Sequence, residues 1–123
     1  MPLNVLIVDD SAAIRKILER VLRHTDFQLG DVIEAGDGKE ALAKLDGGNV
    51  GLILSDINMP NMDGLELLQH VKANDDWKTV PIIMVTTEGS QDKVMQAIQL
   101  GATGYIRKPF TADQIKEKLI GIL

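Results

Sequence analysis

A chain of 123 residues fits one domain, and 45% hydrophobic with 25% charged residues is the balance of an ordinary globular core. The absence of cysteine excludes disulfide frameworks and cysteine metal sites, and a net charge of −5 argues against broad electrostatic binding to nucleic acid. No apolar run approaches the ~20 residues of a membrane span, and the N-terminus lacks a signal-peptide pattern. A cytoplasmic monomer without membrane contact is therefore expected, with residues 1–123 forming a single domain and leaving no room for an output module.

The elements alternate. Leu3–Val8 is apolar and β-branched and runs into Asp9-Asp10, which reads as a first strand ending in acids. Ser11 with the preceding acids can cap a helix, on which Ile14, Ile17, Leu18, Val21 and Leu22 recur at helical spacing. Residues 26–30 read as a loop and 32–35 as a short second strand. Asp37-Gly38 reads as a turn; Ala41, Leu42 and Leu45 give the second helix one apolar face, and Gly47-Gly48 ends it.

Leu52-Ile53-Leu54 has the unbroken apolar character of a strand covered on both faces, and Asp56 stands where it runs out. Pro60 and Asp63-Gly64 mark the following loop, and Leu65, Leu68 and Val71, with Leu67 beside them, mark a third helix. Residues 74–79 form a polar linker holding the only tryptophan. A fourth strand follows at 81–86, with its proline at the start, where a missing N–H is tolerated. Val94, Ala97 and Ile98 line a fourth helix, with Gly101 as its C-terminal stop. The fifth strand is 104–108; Pro109 breaks it, and Thr111 caps a last helix that turns Ile115, Leu119 and Ile122 inward. Five β–α repeats imply a parallel sheet with right-handed crossovers and helices on both faces.

In such a sheet all strand C-termini share one rim. Asp9, Asp10, Asp56, Thr86 and Lys108 all fall there, at the crevice where open α/β sheets bind ligands. Three carboxylates at ~4 Å separation repel by roughly 4 kcal/mol per pair at an effective dielectric near 20. A divalent cation relieves that cost, and a donor set of oxygens alone suits Mg²⁺ rather than zinc. With an ammonium and a hydroxyl nearby, these are the parts of a phosphoryl-transfer site with Asp56 as nucleophile.

The pattern Val8-Asp9-Asp10-Ser11, Asp56 with Met59-Pro60-Asn61-Met62-Asp63-Gly64, Val85-Thr86, Gly101-Ala102-Thr103-Gly104-Tyr105 and Lys108-Pro109-Phe110 resembles the receiver domain of two-component response regulators. It is most similar to the family's single-domain chemotaxis members and covers essentially the whole chain. The resemblance implies a flavodoxin-like, doubly wound (βα)5 fold with strand order 2-1-3-4-5. It implies that Asp56 is the phosphoacceptor and that Asp10 and Asp56 bind Mg²⁺ directly. Asp9 would do so through water, and the Asn58 carbonyl would be a further ligand. Lys108 would pair with the phosphoryl oxygens, Thr86 would bond the new group, Tyr105 would swing inward behind it, and the Lys108–Pro109 bond would be cis. Asn58 and Glu88, two positions past the acceptor and past Thr86, would set the rate of hydrolysis.

Val94, Ile98 and Tyr105, with Lys118 nearby, would form part of a partner face. The implied partners are a histidine kinase as donor, a downstream protein such as the flagellar motor switch, and a phosphatase. Such a domain catalyses its own modification and resetting but is not an enzyme acting on a separate metabolite. A phosphorelay role, or a target other than the motor, is the alternative. One departure is Ile57, where the chemotaxis member most resembled has a tryptophan. Two rival readings share parts of the pattern. A haloacid-dehalogenase-like phosphatase needs a second aspartate where Asn58 stands, and a flavodoxin-like electron carrier needs a neutral phosphate loop where Asp9-Asp10 stands. A degenerate receiver serving only as a binding module is opposed by the presence of all five rim residues.

Overall fold

The computed structural model describes residues 2–87 and 91–122. Its elements run β1 (Leu3–Val8), α1 (Ala12–Arg23), β2 (Leu29–Ala35), α2 (Gly38–Leu45), β3 (Leu52–Ser55), α3 (Gly64–Ala73), β4 (Ile82–Thr87), α4 (Gln91–Gln99), β5 (Gly104–Lys108) and α5 (Ala112–Ile122). The strands form one parallel sheet in the order β2-β1-β3-β4-β5, as the resemblance implies. The three central strands are the apolar runs of the sequence: β1 from Val5, all of β3, and β4 up to Thr86 are buried.

Alternating strand side chains divide the core. Leu6, Val8, Ile53, Ile82 and Met84 pack with Leu45, Leu67, Leu68, Val71 and Ala97 beneath α2, α3 and α4. Val5, Ile7, Leu52, Leu54, Ile83 and Val85 pack with Leu18, Leu22, Ile115 and Leu119 beneath α1 and α5. Helix starts follow the side-chain oxygens: Ser11 accepts from the Ile14 N–H, Asp37 from Glu40 and Asp63 from Glu66. Thr111 and Gln114 exchange reciprocal bonds at the start of α5, the Gln114 N–H donating to Thr111 and the Thr111 N–H donating to Gln114 Oε1. Gly47 and Gly101 both adopt positive φ just past helix ends.

Four details differ from the sequence expectations. β2 begins at Leu29, inside the expected loop, because Leu3 pairs with Leu29 and a register shift before Val5 restores the ladder. Asp37 caps α2 rather than making a free turn. The linker at 74–79 is a hydrogen-bonded turn, with the Trp77 and Lys78 N–H groups donating to the Asn74 carbonyl and the half-buried Trp77 packed on the core. Ile17 and Ile98 are 44% exposed, so the apolar faces of α1 and α4 are broader than their buried stripes. None of the described helices is long and apolar enough to cross a membrane.

Candidate functional site

The sheet register places the site. Val8 pairs with Ser55, and the next residue, Asp56, donates its N–H to the Val8 carbonyl at 2.8 Å. β3 thus ends level with β1, and Asp9 and Asp56 leave the sheet side by side. The turn after Asp56 closes tightly: Gly64 donates to the Ile57 carbonyl at 2.7 Å. A Cβ at Gly64 would lie 2.1 Å from the Asp56 carbonyl oxygen, so only glycine lets α3 start this close. Ile57 is fully buried against this core, which accounts for an aliphatic residue beside the acceptor.

Asp56 is 8% exposed. Its Oδ1 accepts the Ile57 N–H at 2.7 Å and its Oδ2 lies 3.3 Å from Lys108 Nζ. The Lys108 ammonium donates to Asp9 Oδ2 at 2.8 Å, and Asp9 Oδ1 accepts the Ser11 N–H at 2.9 Å. Neither acid caps α1; Ser11 does, and Asp9 holds Ser11. Asp10 is exposed, yet Asp9, Asp10 and Asp56 each place a carboxylate oxygen within 4.8 Å of the others. Burial pushes the Asp56 carboxyl above the usual carboxylate range; Lys108 opposes this and the Asp9 charge adds to it. For Lys108, burial works against the ammonium, but the Asp9 hydrogen bond and the Asp56 charge outweigh it and raise its pKa. The peptide between Lys108 and Pro109 is cis.

Thr86 is buried at the end of β4, one residue beyond the level of Asp56, since Ser55 pairs with Met84. Its hydroxyl donates to the Thr87 carbonyl at a long 3.4 Å, a weak bond that is cheap to exchange. Thr86, Val94, Ile98 and Tyr105 line one cavity of about 310 Å³ between α4 and the strands β4 and β5. Tyr105 is 39% exposed, and Lys118 Nζ stands 5.6 Å from its ring centroid. The expected partner-face residues are therefore gathered on one surface. Asn58 is exposed and its Oδ1 accepts from Lys93 of α4 at 2.6 Å. Glu88 lies outside the described residues.

The carboxylate at this strand mouth thus lies against a lysine and beside two further acids, and residues 5–120 of the chain match the family model for the response regulator receiver domain. The chain belongs to that family. Receiver domains are phosphoacceptors of two-component signalling, and this one has the fold of the CheY type. It is 42% identical to the chemotaxis protein CheY of Pseudomonas aeruginosa, across 95% of this chain and 93% of that one. The solved structure of the chemotaxis response regulator CheY4 of Vibrio cholerae covers all of both chains with a TM-score of 0.88 and 38% identity. The Mn²⁺-bound form of response regulator Rcp1 gives a TM-score of 0.82 at 30% identity, over 98% of this chain and 91% of that one.

Sequence reasoning placed the rim but missed two of its supports. Arg15 of α1 donates to the Asp9 carbonyl and to Glu34, and Lys93 binds Asn58 across 35 positions. On helical periodicity both read as solvated charges. The sign of the charge, positive beside an acidic rim, was the only signal available.

Proposed function

We propose that this receiver is a phosphorylation-dependent switch in which Asp56 accepts a phosphoryl group from a phosphohistidine of a partner kinase. The observation that carries the reading is the Asp56 carboxylate itself, buried, fixed by the Ile57 N–H and faced by the Lys108 ammonium. An oxygen of Asp56 attacks phosphorus, the N–P bond of the donor breaks, and the histidine nitrogen keeps its electron pair. The product is an acyl phosphate. Lys108, already bonded to Asp9, offers its remaining donor capacity to the charge that builds on the phosphoryl oxygens.

The donor set fits Mg²⁺: three carboxylates with ligand atoms within 4.8 Å of one another, all hard oxygen. Asp9, Asp10, Asp56 and the Asn58 carbonyl would hold the ion, and when bound it supplies neutralisation of the phosphoryl oxygens. That response regulator Rcp1 is known in a Mn²⁺-bound form supports a divalent cation here.

Thr86 exchanges its long bond to Thr87 for the new phosphoryl oxygens, and Tyr105 follows into the cavity the two share. The surface of Val94, Ile98, Tyr105 and Lys118 then favours its partner-binding form, a population shift equal to the differential affinity of the partner. Asn58 and Glu88 set the approach of the water that later cleaves the acyl phosphate, returning the carboxylate and releasing inorganic phosphate. The receiver thus catalyses its own loading and resetting. The names of the chemotaxis relatives support a role in chemotaxis. On this reading the receiver works in the cytoplasm, with a histidine kinase upstream, the flagellar switch downstream and a phosphatase to reset it.

The test is intact mass after incubation with Mg²⁺ and a small acyl-phosphate donor. One added phosphoryl group is expected in the wild type and none in Asp56→Asn or in chelator. A phosphoryl group on Asp56→Asn sinks the assignment.

A further inference from the structure

Asp9 has every polar group engaged. Its N–H donates to the Ala35 carbonyl at 3.1 Å, its two carboxylate oxygens take Ser11 and Lys108, and its carbonyl accepts Arg15 Nη1. Asp10 is the opposite case. Its carboxylate stands in the acidic trio but is exposed, and no side-chain hydrogen bond or ion pair holds it among the described residues. What aims Asp10 is the peptide that joins it to Asp9, and the oxygen of that peptide is the one Arg15 grips.

Arg15 is itself braced. Its Nε donates to Glu34 Oε1 at 3.0 Å, and Lys16 donates to Glu34 Oε2 at 2.8 Å. A guanidinium is a planar fork, so fixing Nε on β2 fixes the direction of Nη1. The Lys16 hydrogen bond, with Arg15 adding to it, holds the Glu34 carboxyl below its usual range, so the brace stays anionic.

We infer that Arg15 is a positioning residue for the cation site: through the Asp9–Asp10 peptide it aims the Asp10 carboxylate at the ion. This rests on reading the acidic trio as a Mg²⁺ site. The charge of Arg15 acts the other way, because a cation beside three acids opposes a divalent ion. Removing Arg15 therefore weakens Mg²⁺ binding if aim dominates and strengthens it if charge dominates.

The experiment is calorimetric Mg²⁺ titration of the full chain as wild type, Arg15→Met, Arg15→Lys and Glu34→Gln. Mn²⁺ binding by electron paramagnetic resonance and phosphoryl uptake against Mg²⁺ concentration run beside it. Loss of a group that orients a ligand costs about tenfold or more in metal affinity. Arg15→Met is expected to raise the Mg²⁺ Kd by about tenfold and to move half-saturation for phosphoryl uptake by the same factor, with the rate recovering at saturating Mg²⁺. Arg15→Lys keeps the charge but not the fork and is expected to behave like Arg15→Met. Glu34→Gln, which only loosens the brace, moves the same way by less. Unchanged or tighter binding in Arg15→Met, or full rescue by lysine, overturns the inference. Should Arg15→Met not fold, the Glu34→Gln titration decides alone, an unchanged Kd refuting. If the wild type binds no Mg²⁺, the reading of the trio and this inference fall together. If the wild type binds and is phosphorylated while all three variants match it, only the role of Arg15 falls.

Discussion

Replacing Asp56 by asparagine is expected to make the metal-free protein more stable. The carboxylate oxygens of Asp9 and Asp10 lie within 4.8 Å of that of Asp56, which at an effective dielectric near 20 is a repulsion of about 3.5 kcal/mol each. Lys108 at 3.3 Å returns about 5 kcal/mol. About 2 kcal/mol of net repulsion remains, before any cost of burying the charge. Asparagine removes it while keeping an oxygen for the Ile57 N–H. In urea, with a slope of about 2 kcal/mol per molar for a domain of this size, the midpoint should rise by about 1 M at neutral pH in chelator. The pH dependence follows from the raised Asp56 pKa. The folded state holds that proton more tightly than the unfolded chain, so wild-type stability falls as pH rises from the ordinary carboxylate range through the raised value. The gap between variant and wild type should therefore close as pH is lowered through that window. Mg²⁺ should stabilise the wild type more than the variant. A urea midpoint for Asp56→Asn at or below that of the wild type in chelator would refute the reasoning.

Lys108→Met leaves the 1%-exposed Asp9 without its cation and should cost about 3 kcal/mol in chelator, read by urea unfolding, together with a large loss of phosphoryl uptake. Gly64→Ala drives a methyl into the Asp56 carbonyl and the Ile57 backbone; a loss of about 3 kcal/mol and slowed uptake are expected, and a midpoint equal to wild type would show that α3 can retreat. Thr86→Ala gives up a hydroxyl bond of only 3.4 Å, so less than about 1 kcal/mol should go by thermal melting. Phosphoryl uptake should persist in that variant, while the change in the ¹⁹F signal of a fluorinated Tyr105 on phosphorylation is lost.

The legibility of the chain follows burial. β1, β3 and β4 are covered on both faces, so each is an apolar run that admits little else, and Asp56 is conspicuous because it interrupts one. β2 is an edge strand, paired only with β1 and half-buried, and its Leu29-Gly30-Asp31 start carries turn chemistry; there pairing overrides propensity. Trp77 was hidden for a similar reason: its neighbours are polar, and only the turn that Asn74 builds brings the indole onto the core. The rim residues were legible because a parallel sheet converts strand endings into spatial neighbours. Arg15 and Lys93 were not. Each is a long side chain that reaches sideways to a group on another element, and no periodicity records that reach.

The division of the core by the sheet has a consequence for how such a chain can drift. Val5 and Ile7 share one half-core while Leu6 and Val8 share the other, so neighbouring letters of the sequence answer to different constraints. Volume lost under α1 and α5 can be restored only by residues of that half, and the same holds under α2, α3 and α4. Paired substitutions should couple within a half and add across the sheet. Ile57 and Met62 of the acceptor loop share a half-core with Val94 and Ala97 of α4, so substitutions in the loop are expected to couple to α4. The layer beneath α1 and α5 can change its packing alphabet without renegotiating with either.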